Sequence, residues 1–129
     1  PPSEKSLLSA QEFIKSNLFE SNIFVGRMLV GVAGTFTSLA SIFLEQSKFN
    51  EKEIHSTELK NTDVFKINEE LLHLTEPQII TKYKGLDPKR AKTIQAGILL
   101  AKEIISKYNV NSIKVSNSDI LEGLILKKY

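Results

Sequence analysis

The chain has 129 residues, 41% of them hydrophobic and 25% charged, which are globular proportions that set aside disorder and fibrous repeats and suit a single core. Its 17 basic and 15 acidic residues leave a net charge of only +2, too balanced for a nucleic-acid surface, which needs a basic patch. There is no Cys, so disulfides, Cys-based zinc sites and a thiol nucleophile are excluded.

The chain starts Pro1-Pro2-Ser3, without Met, and a piece of something longer is expected. Ser3 as N-cap, with Leu7, Ala10, Phe13 or Ile14, and Leu18 at three- and four-residue steps, predicts an amphipathic helix over 4–20. Arg27 to Val32 is a short β-branched and apolar run, read as a buried strand. The glycine-bearing turn 31–35 follows, and then a helix to about Gln46 with Phe36, Leu39, Ile42 and Phe43 on one side. Arg27, three glycines and several hydroxyl residues interrupt the apolar stretch 24–44, so no membrane span is expected there. No signal peptide precedes it, and a cytoplasmic location is expected.

Residues 47–61 are polar and aperiodic, with Ile54-His55 as a brief extended piece. Asn61 or Thr62 caps a helix to about Leu74, with Val64, Ile67, Leu71 and Leu74 inward. Pro77 restarts a short helix, which Gly85 ends. Asp87-Pro88 opens the clearest helix. Its stripe of Ala91, Ile94, Ile98, Ala101, Ile105 and Tyr108 should face the core. A second strand spans 112–115, residues 116–119 form a loop and cap, and a last helix runs over 120–128.

This order is an α/β layer pattern, but it is short of strands for so many amphipathic helices. Either strands are missing from the chain or a second copy completes the sheet.

Three places are candidates for chemistry. Gly31-Val32-Ala33-Gly34-Thr35 lies where a strand hands over to a helix, so free N–H groups and the positive helix end can receive a phosphate there. It is neither a Walker A loop nor GxGxxG, and a tight turn serving helix–sheet packing explains it equally well. Ser116 to Glu122 also follows a strand and opens a helix. If the two strands are parallel, both loops open on one side of the sheet, where ligands bind in open α/β folds; plain capping by Ser118 or Asp119 is the simpler explanation. Arg90 is the third. A base in the first turn of a helix opposes the macrodipole, which invites a phosphate or buried carboxylate partner, although a solvated surface Arg fits too. Arg27 is the only other arginine, and arginine is the side chain best suited to bidentate phosphate contacts. His55 and His73 are far apart and lack a second ligand at helical spacing, so no metal site is expected. No acid–base constellation stands out, and no catalytic residue is assigned.

Gly31-Val32-Ala33-Gly34-Thr35-Phe36-Thr37-Ser38-Leu39-Ala40 resembles the G-x-x-G-T-x-x-x-L-A segment of the exopolyphosphatase/guanosine pentaphosphate phosphohydrolase (Ppx/GppA) family. Ile54-His55 sits where that family has V-H-G. Gly85-Leu86-Asp87-Pro88-Lys89-Arg90-Ala91, with Ile94 and Ala96-Gly97, looks like its G-L-x-P-x-R-A-D-x-I-x-x-G. Ile113 to Ser116 and Glu122-Gly123-Leu124 look like its I-x-V-S-x-x-G-L-R-E-G-L terminus. The matches keep the family's order over about residues 26–126. Ser56, Lys92 and Leu121 depart from it, Leu121 replacing the Arg of R-E-G.

The resemblance implies a partial actin-like (ribonuclease-H-like) domain with few short strands and several flanking helices. Residues 1–129 would be the C-terminal portion of an actin-like ATPase-type domain, in its second subdomain, and a fragment of a longer bacterial protein. The implied activity of that parent is hydrolysis of phosphoanhydride bonds in polyphosphate or guanosine pentaphosphate with Mg²⁺. Gly31, Gly34 and Thr35 would bind phosphate, and Arg90, Ser116 and Glu122 would lie at or near the cleft. The family's catalytic acids lie upstream, so the isolated chain should be inactive and bind no metal. The rival reading is a non-catalytic nucleotide or alarmone sensor, or a self-assembling actin-like module that forms a homodimer. Expected partners are a phosphorylated small molecule or polyphosphate and the rest of the parent, with neither nucleic acid nor membrane.

Overall fold

The computed structural model describes residues 1–22, 25–118, 124, 125 and 127, and over residues 1–118 these form three short strands and six α-helices. In chain order the elements are α1 (Glu4–Asn17), β1 (Met28–Gly31), α2 (Gly34–Phe43), α3 (Glu51–Ile54), β2 (Glu58–Lys60), α4 (Asn61–Leu72), α5 (Glu76–Lys82), a 3₁₀ turn (Pro88–Arg90), α6 (Ile94–Tyr108) and β3 (Ser112–Val115). The expected α/β architecture, with few short strands and several flanking helices, is present.

β3 is the central strand. It pairs in parallel with β1, from Met28↔Ser112 to Gly31↔Val115. On its other side it pairs antiparallel with β2, Leu59 opposite Ile113. Side chains alternate across a strand, so Leu29, Leu59, Ile113 and Val115 point to one face and Met28, Val30 and Lys114 to the other. The first set meets the helices; Leu59, Ile113 and Val115 are buried. α6 is the hub of the helical layer and packs against α1, α2 and α4. Its buried Ile94, Ile98, Ala101, Ile105 and Tyr108, with Ala91 just before it, are the stripe expected from the spacing.

Several boundaries need correction. The first helix ends at Asn17, where Leu18 turns extended. Ile14 faces inward while Phe13 is 70% exposed. The first strand is not buried: it covers only Met28–Gly31 and lies at a sheet edge, with Val30 63% exposed. The second helix starts at Gly34 and stops at Phe43, since Glu45 at φ 52° cannot continue it. Ile54 is not extended. The Asn50 carboxamide caps the Lys52 N–H at 3.1 Å to give α3. Ser56 at φ 68° then turns the chain, and the strand comes later, at Glu58. The helix after β2 starts at Asn61 behind Lys60, whose N–H donates to Asp63 Oδ2 at 2.8 Å, and it ends at Leu72. The short helix stops at Lys82 rather than Gly85.

The helix expected from Asp87 is broken. Asp87 Oδ1 caps only the Lys89 N–H, at 3.0 Å. The following bonds from Arg90, Ala91 and Thr93 all reach back three residues, the tighter 3₁₀ pattern. The α pitch is reached only when Gly97 N–H bonds Thr93 O. The helix expected over 120–128 falls largely outside the described residues, and so does Glu122.

Candidate functional site: a cationic cleft over Gly34

Because β1 and β3 are parallel, Gly31 and Val115 end on the same side of the sheet. The chain leaves β3 there with Ser116 N–H donating to Gly31 O at 2.8 Å. The loop after β1 then turns sharply into α2. Ala33, at φ 69° and ψ −174°, occupies a backbone region that is essentially reserved for Gly. No side chain caps the first turn of α2 among the described residues, so its N–H groups stay available at the positive helix end. Thr37 steadies the turn by donating its hydroxyl to Gly34 O at 3.2 Å.

Gly34 leaves room for a neighbour. A Cβ at that position would run into the Arg90 guanidinium. The 3₁₀ turn thus delivers Arg90 directly onto the start of α2, across 56 residues of sequence. Two further loops close around this pair. Gly85 lies against Gln46 O, and Ser41 Oγ donates to Gly85 O at 3.4 Å, which ties the loop after α2 to the loop after α5. The first loop is braced further by Gln46, whose carboxamide donates to Asn50 O at 3.2 Å and to Glu53 Oε2 at 2.9 Å. The result is an open cleft of about 410 Å³ walled by Gly34, Thr37, Ser38, Lys48, Phe49 and Lys84, with Gly85, Leu86, Asp87 and Arg90.

The charge of this cleft is one-sided. Lys48, Lys84 and Arg90 face one carboxylate, Asp87. Among the described residues none of these cations is in an ion pair. Three uncompensated cations on low-dielectric walls concentrate positive potential and favour an anion. Arg supplies a planar fork and the lysines point charges. Phe49, 43% exposed, adds an aromatic surface at the rim.

The residues singled out from sequence therefore divide. Gly34 and Arg90 meet in the cleft. Gly31 lies at the end of β1, where a Cβ would press on the Phe36 ring. Thr35 faces α6: a Cβ on Gly97 would stand 2.7 Å from its Oγ1. Ser116 sits beside Gly31, its Oγ accepting from Ser118 N–H at 3.2 Å, and does not line the cleft. Beside this loop, His55 Nδ1 accepts the Asn117 N–H at 3.2 Å. Reasoning from sequence missed Lys48, Phe49 and Lys84. A lone Phe amid the polar 45–53 stretch was the one available signal.

Next to the cleft, Glu70 receives Lys82 and the Tyr83 hydroxyl. The Lys82 ammonium, and then the Tyr83 hydroxyl, hold the Glu70 carboxyl below its ordinary range. Burial, and then the bond to Glu70, push the Tyr83 phenol well above its ordinary range. Tyr83 is therefore a fixed donor that anchors the α5 end immediately before Lys84.

These residues do not make a Mg²⁺ site. Among the described residues Asp87 is the only carboxylate on the cleft; it accepts from Lys89 N–H, and three cations line the same cleft and oppose a divalent ion. Among the described residues no three His, Cys, Asp or Glu side chains converge.

No protein-family model matches the chain. A bifunctional 3-dehydroquinate synthase/phosphatase of Fusobacterium nucleatum is 33% identical over 127 residues, covering 97% of this chain and 19% of the relative. Exopolyphosphatase 2 of Mycobacterium tuberculosis is 25% identical over 134 residues, 98% of this chain and 42% of the relative. The crystal structure of the Aquifex aeolicus Ppx/GppA phosphatase superposes with a TM-score of 0.88 at 22% identity, covering 98% of this chain and 42% of that one. This is the fold of the C-terminal part of Ppx/GppA proteins. The chain spans less than half the length of each of these relatives. The Ppx/GppA-like segments Gly31–Ala40 and Gly85–Ala91 supply Gly34 and Arg90 to the cleft. Among the described residues no helix is long and apolar enough to cross a membrane.

Proposed function

We propose that this chain is the C-terminal portion of a longer phosphohydrolase and supplies one wall of its phosphate cleft. The substrate class is a phosphoanhydride polyanion, inorganic polyphosphate or guanosine pentaphosphate. The observation that carries this reading is the seating of Arg90 over Gly34 in a cleft with Lys48 and Lys84. Arg90 would clamp phosphate oxygens in bidentate fashion, the two lysines would neutralise neighbouring phosphates, and the first N–H groups of α2 would donate to one more. Gly31, Thr35 and Ser116 would act behind the wall by holding its turn and helix in place. Mg²⁺ would be held by residues of the longer protein outside this chain. The 129-residue chain alone would bind the polyanion without hydrolysing it.

The test is titration of the purified chain with tripolyphosphate, followed by calorimetry. Binding should weaken with added salt, since screening acts on exposed charges. Loss of one charge-assisted contact is worth about 1.5–3 kcal/mol, so Arg90→Ala should lower affinity by roughly 10- to 100-fold. Unchanged affinity in a folded Arg90→Ala chain rules the reading out, and so does phosphate release by the wild-type chain alone.

A second reading, a nucleotide or alarmone sensor, is favoured by Phe49. An aromatic ring beside three cations can stack a base while the cations hold its phosphates. Tighter binding of guanosine tetraphosphate than of tripolyphosphate, with the difference lost in Phe49→Ala, would select it.

A further inference from the structure

We infer that Glu70 and Tyr83, which lie outside the cleft, are positioning residues for it: they fix the segment that carries Lys84 and so set the affinity for a polyanion. The inference rests on the phosphate reading above and deepens it by naming what controls the cleft from behind.

The wall that holds Lys84 is not helical. α5 ends at Lys82, and Tyr83, at φ −107° and ψ 78°, has left the helical region. Leu86 N–H donates to Tyr83 O at 2.9 Å and turns the chain there. Lys84 is exposed, and among the described residues it forms no ion pair. A lysine on a loose loop must be ordered when a ligand binds, which weakens affinity. A loop that is already held avoids that loss.

Both neighbours of Lys84 are held. On one side Gly85 O accepts the hydroxyl of Ser41 at 3.4 Å, and Ser41 is buried on α2. On the other side the Tyr83 hydroxyl donates to the Glu70 carboxylate on α4. Lys82 pairs with the same carboxylate, and its ammonium lies 5.6 Å from the centre of the Tyr83 ring. Burial and the bond to Glu70 hold the phenol well above its ordinary range, so the hydroxyl remains a donor. α4 is itself packed on α6. Lys84 is thus carried between a fixed point on α2 and a fixed point on α4.

Stability alone is a weak reason for this cluster. The Lys82 and Glu70 side chains are 51% and 37% exposed, and an ion pair so open to solvent contributes little. Neither Glu70 nor Tyr83 lines the cleft, so any effect they have on a ligand there must pass through the segment they hold.

The test is a set of double-mutant cycles, read by calorimetry with tripolyphosphate on the 129-residue chain. Tyr83→Phe keeps the ring and removes only the hydroxyl. It should weaken binding by roughly 3- to 10-fold, the loss expected when a wall group must be ordered by the ligand. The effect should vanish in a Lys84→Ala background and persist in a Lys48→Ala background. Glu70→Asp keeps the charge but draws the carboxylate back by one methylene, and it should reproduce the loss. Wild-type affinity in folded Tyr83→Phe and Glu70→Asp chains overturns the inference. A loss that persists undiminished without Lys84 also overturns it, since a merely structural role lowers affinity whichever lysine is present. Arg90→Ala tests the phosphate reading directly: weaker binding there, beside unchanged binding in Tyr83→Phe, discards the positioning role and leaves that reading standing.

Discussion

Thr35 offers a clean separation of packing from ligand binding, because its side chain stands against Gly97 in α6. A Cβ at Gly97 would approach Thr35 Oγ1 to 2.7 Å, Cγ2 to 2.9 Å and Cβ to 3.4 Å. Gly97→Ala therefore combines two opposed effects. Overpacking a close helix contact costs about 1–3 kcal/mol. Ala in place of Gly inside a helix returns about 0.8–1.0 kcal/mol. The single variant should be destabilised by about 0–2 kcal/mol. Thr35→Ala removes the two closest atoms, and the remaining 3.4 Å contact is tolerable. In that background Gly97→Ala should stabilise by up to about 1 kcal/mol, so the pair couples by about 1–3 kcal/mol. Urea unfolding of the four chains, followed by circular dichroism, measures the cycle. Additive effects, or a coupling of opposite sign, would refute the idea that the Thr35 side chain is what holds Gly97 in place. The same Thr35→Ala chain should keep its affinity for tripolyphosphate.

Ala33 sits in Gly territory, so Ala33→Gly relieves about 1–3 kcal/mol of strain and adds about 0.5–1 kcal/mol of chain entropy to be lost; the urea midpoint should rise. Gly34→Ala meets only the movable end of Arg90. Stability should hardly change while tripolyphosphate affinity falls about 10-fold, and in an Arg90→Ala background the same change should do nothing; calorimetry on the four chains checks both. The folded-state pKa of Glu70 is lowered, so its bonds to Lys82 and Tyr83 contribute stability above the ordinary carboxyl value, lost as pH falls through the lowered one. The folded-state pKa of Tyr83 is raised, so its contribution holds below the ordinary phenol value and is lost as pH rises beyond it. Melting temperature against pH should accordingly flatten on the alkaline side in Tyr83→Phe and on the acid side in Glu70→Gln.

The α/β class, the stripe on α6 and the strand Ser112–Val115 were legible in the sequence, because each follows from hydrophobic period and flanking turn residues. The parallel pairing of β1 with β3 could be stated only as a condition, since periodicity says nothing about partners. Ile54-His55 misled because two apolar-flanked residues look alike in a short helix and a strand; the Asn50 cap and the positive φ of Ser56 decide it. Asp87-Pro88 was read as the start of one long helix because a cap and Pro at the first position open both α and 3₁₀ turns. Of the cleft, Gly34 and Arg90 were named separately, but their contact depends on two turns meeting across the fold. Lys48 and Lys84 were invisible, being two among 15 lysines. Only the clasp of Gly85 against Gln46 brings their loops together.

The place of β3 has a consequence for the order of events during synthesis. Among the described residues β1 and β2 do not pair with each other; β3 pairs with both. The partners of Met28 and Gly31 are Ser112 and Val115, so α2, α4 and most of α6 are synthesised before β3 is there to pair with β1. Until residue 115 is clear of the ribosome, the edge of β1 that pairs with β3 waits without its partner, and the apolar run of Met28 to Val32 needs protection in that interval.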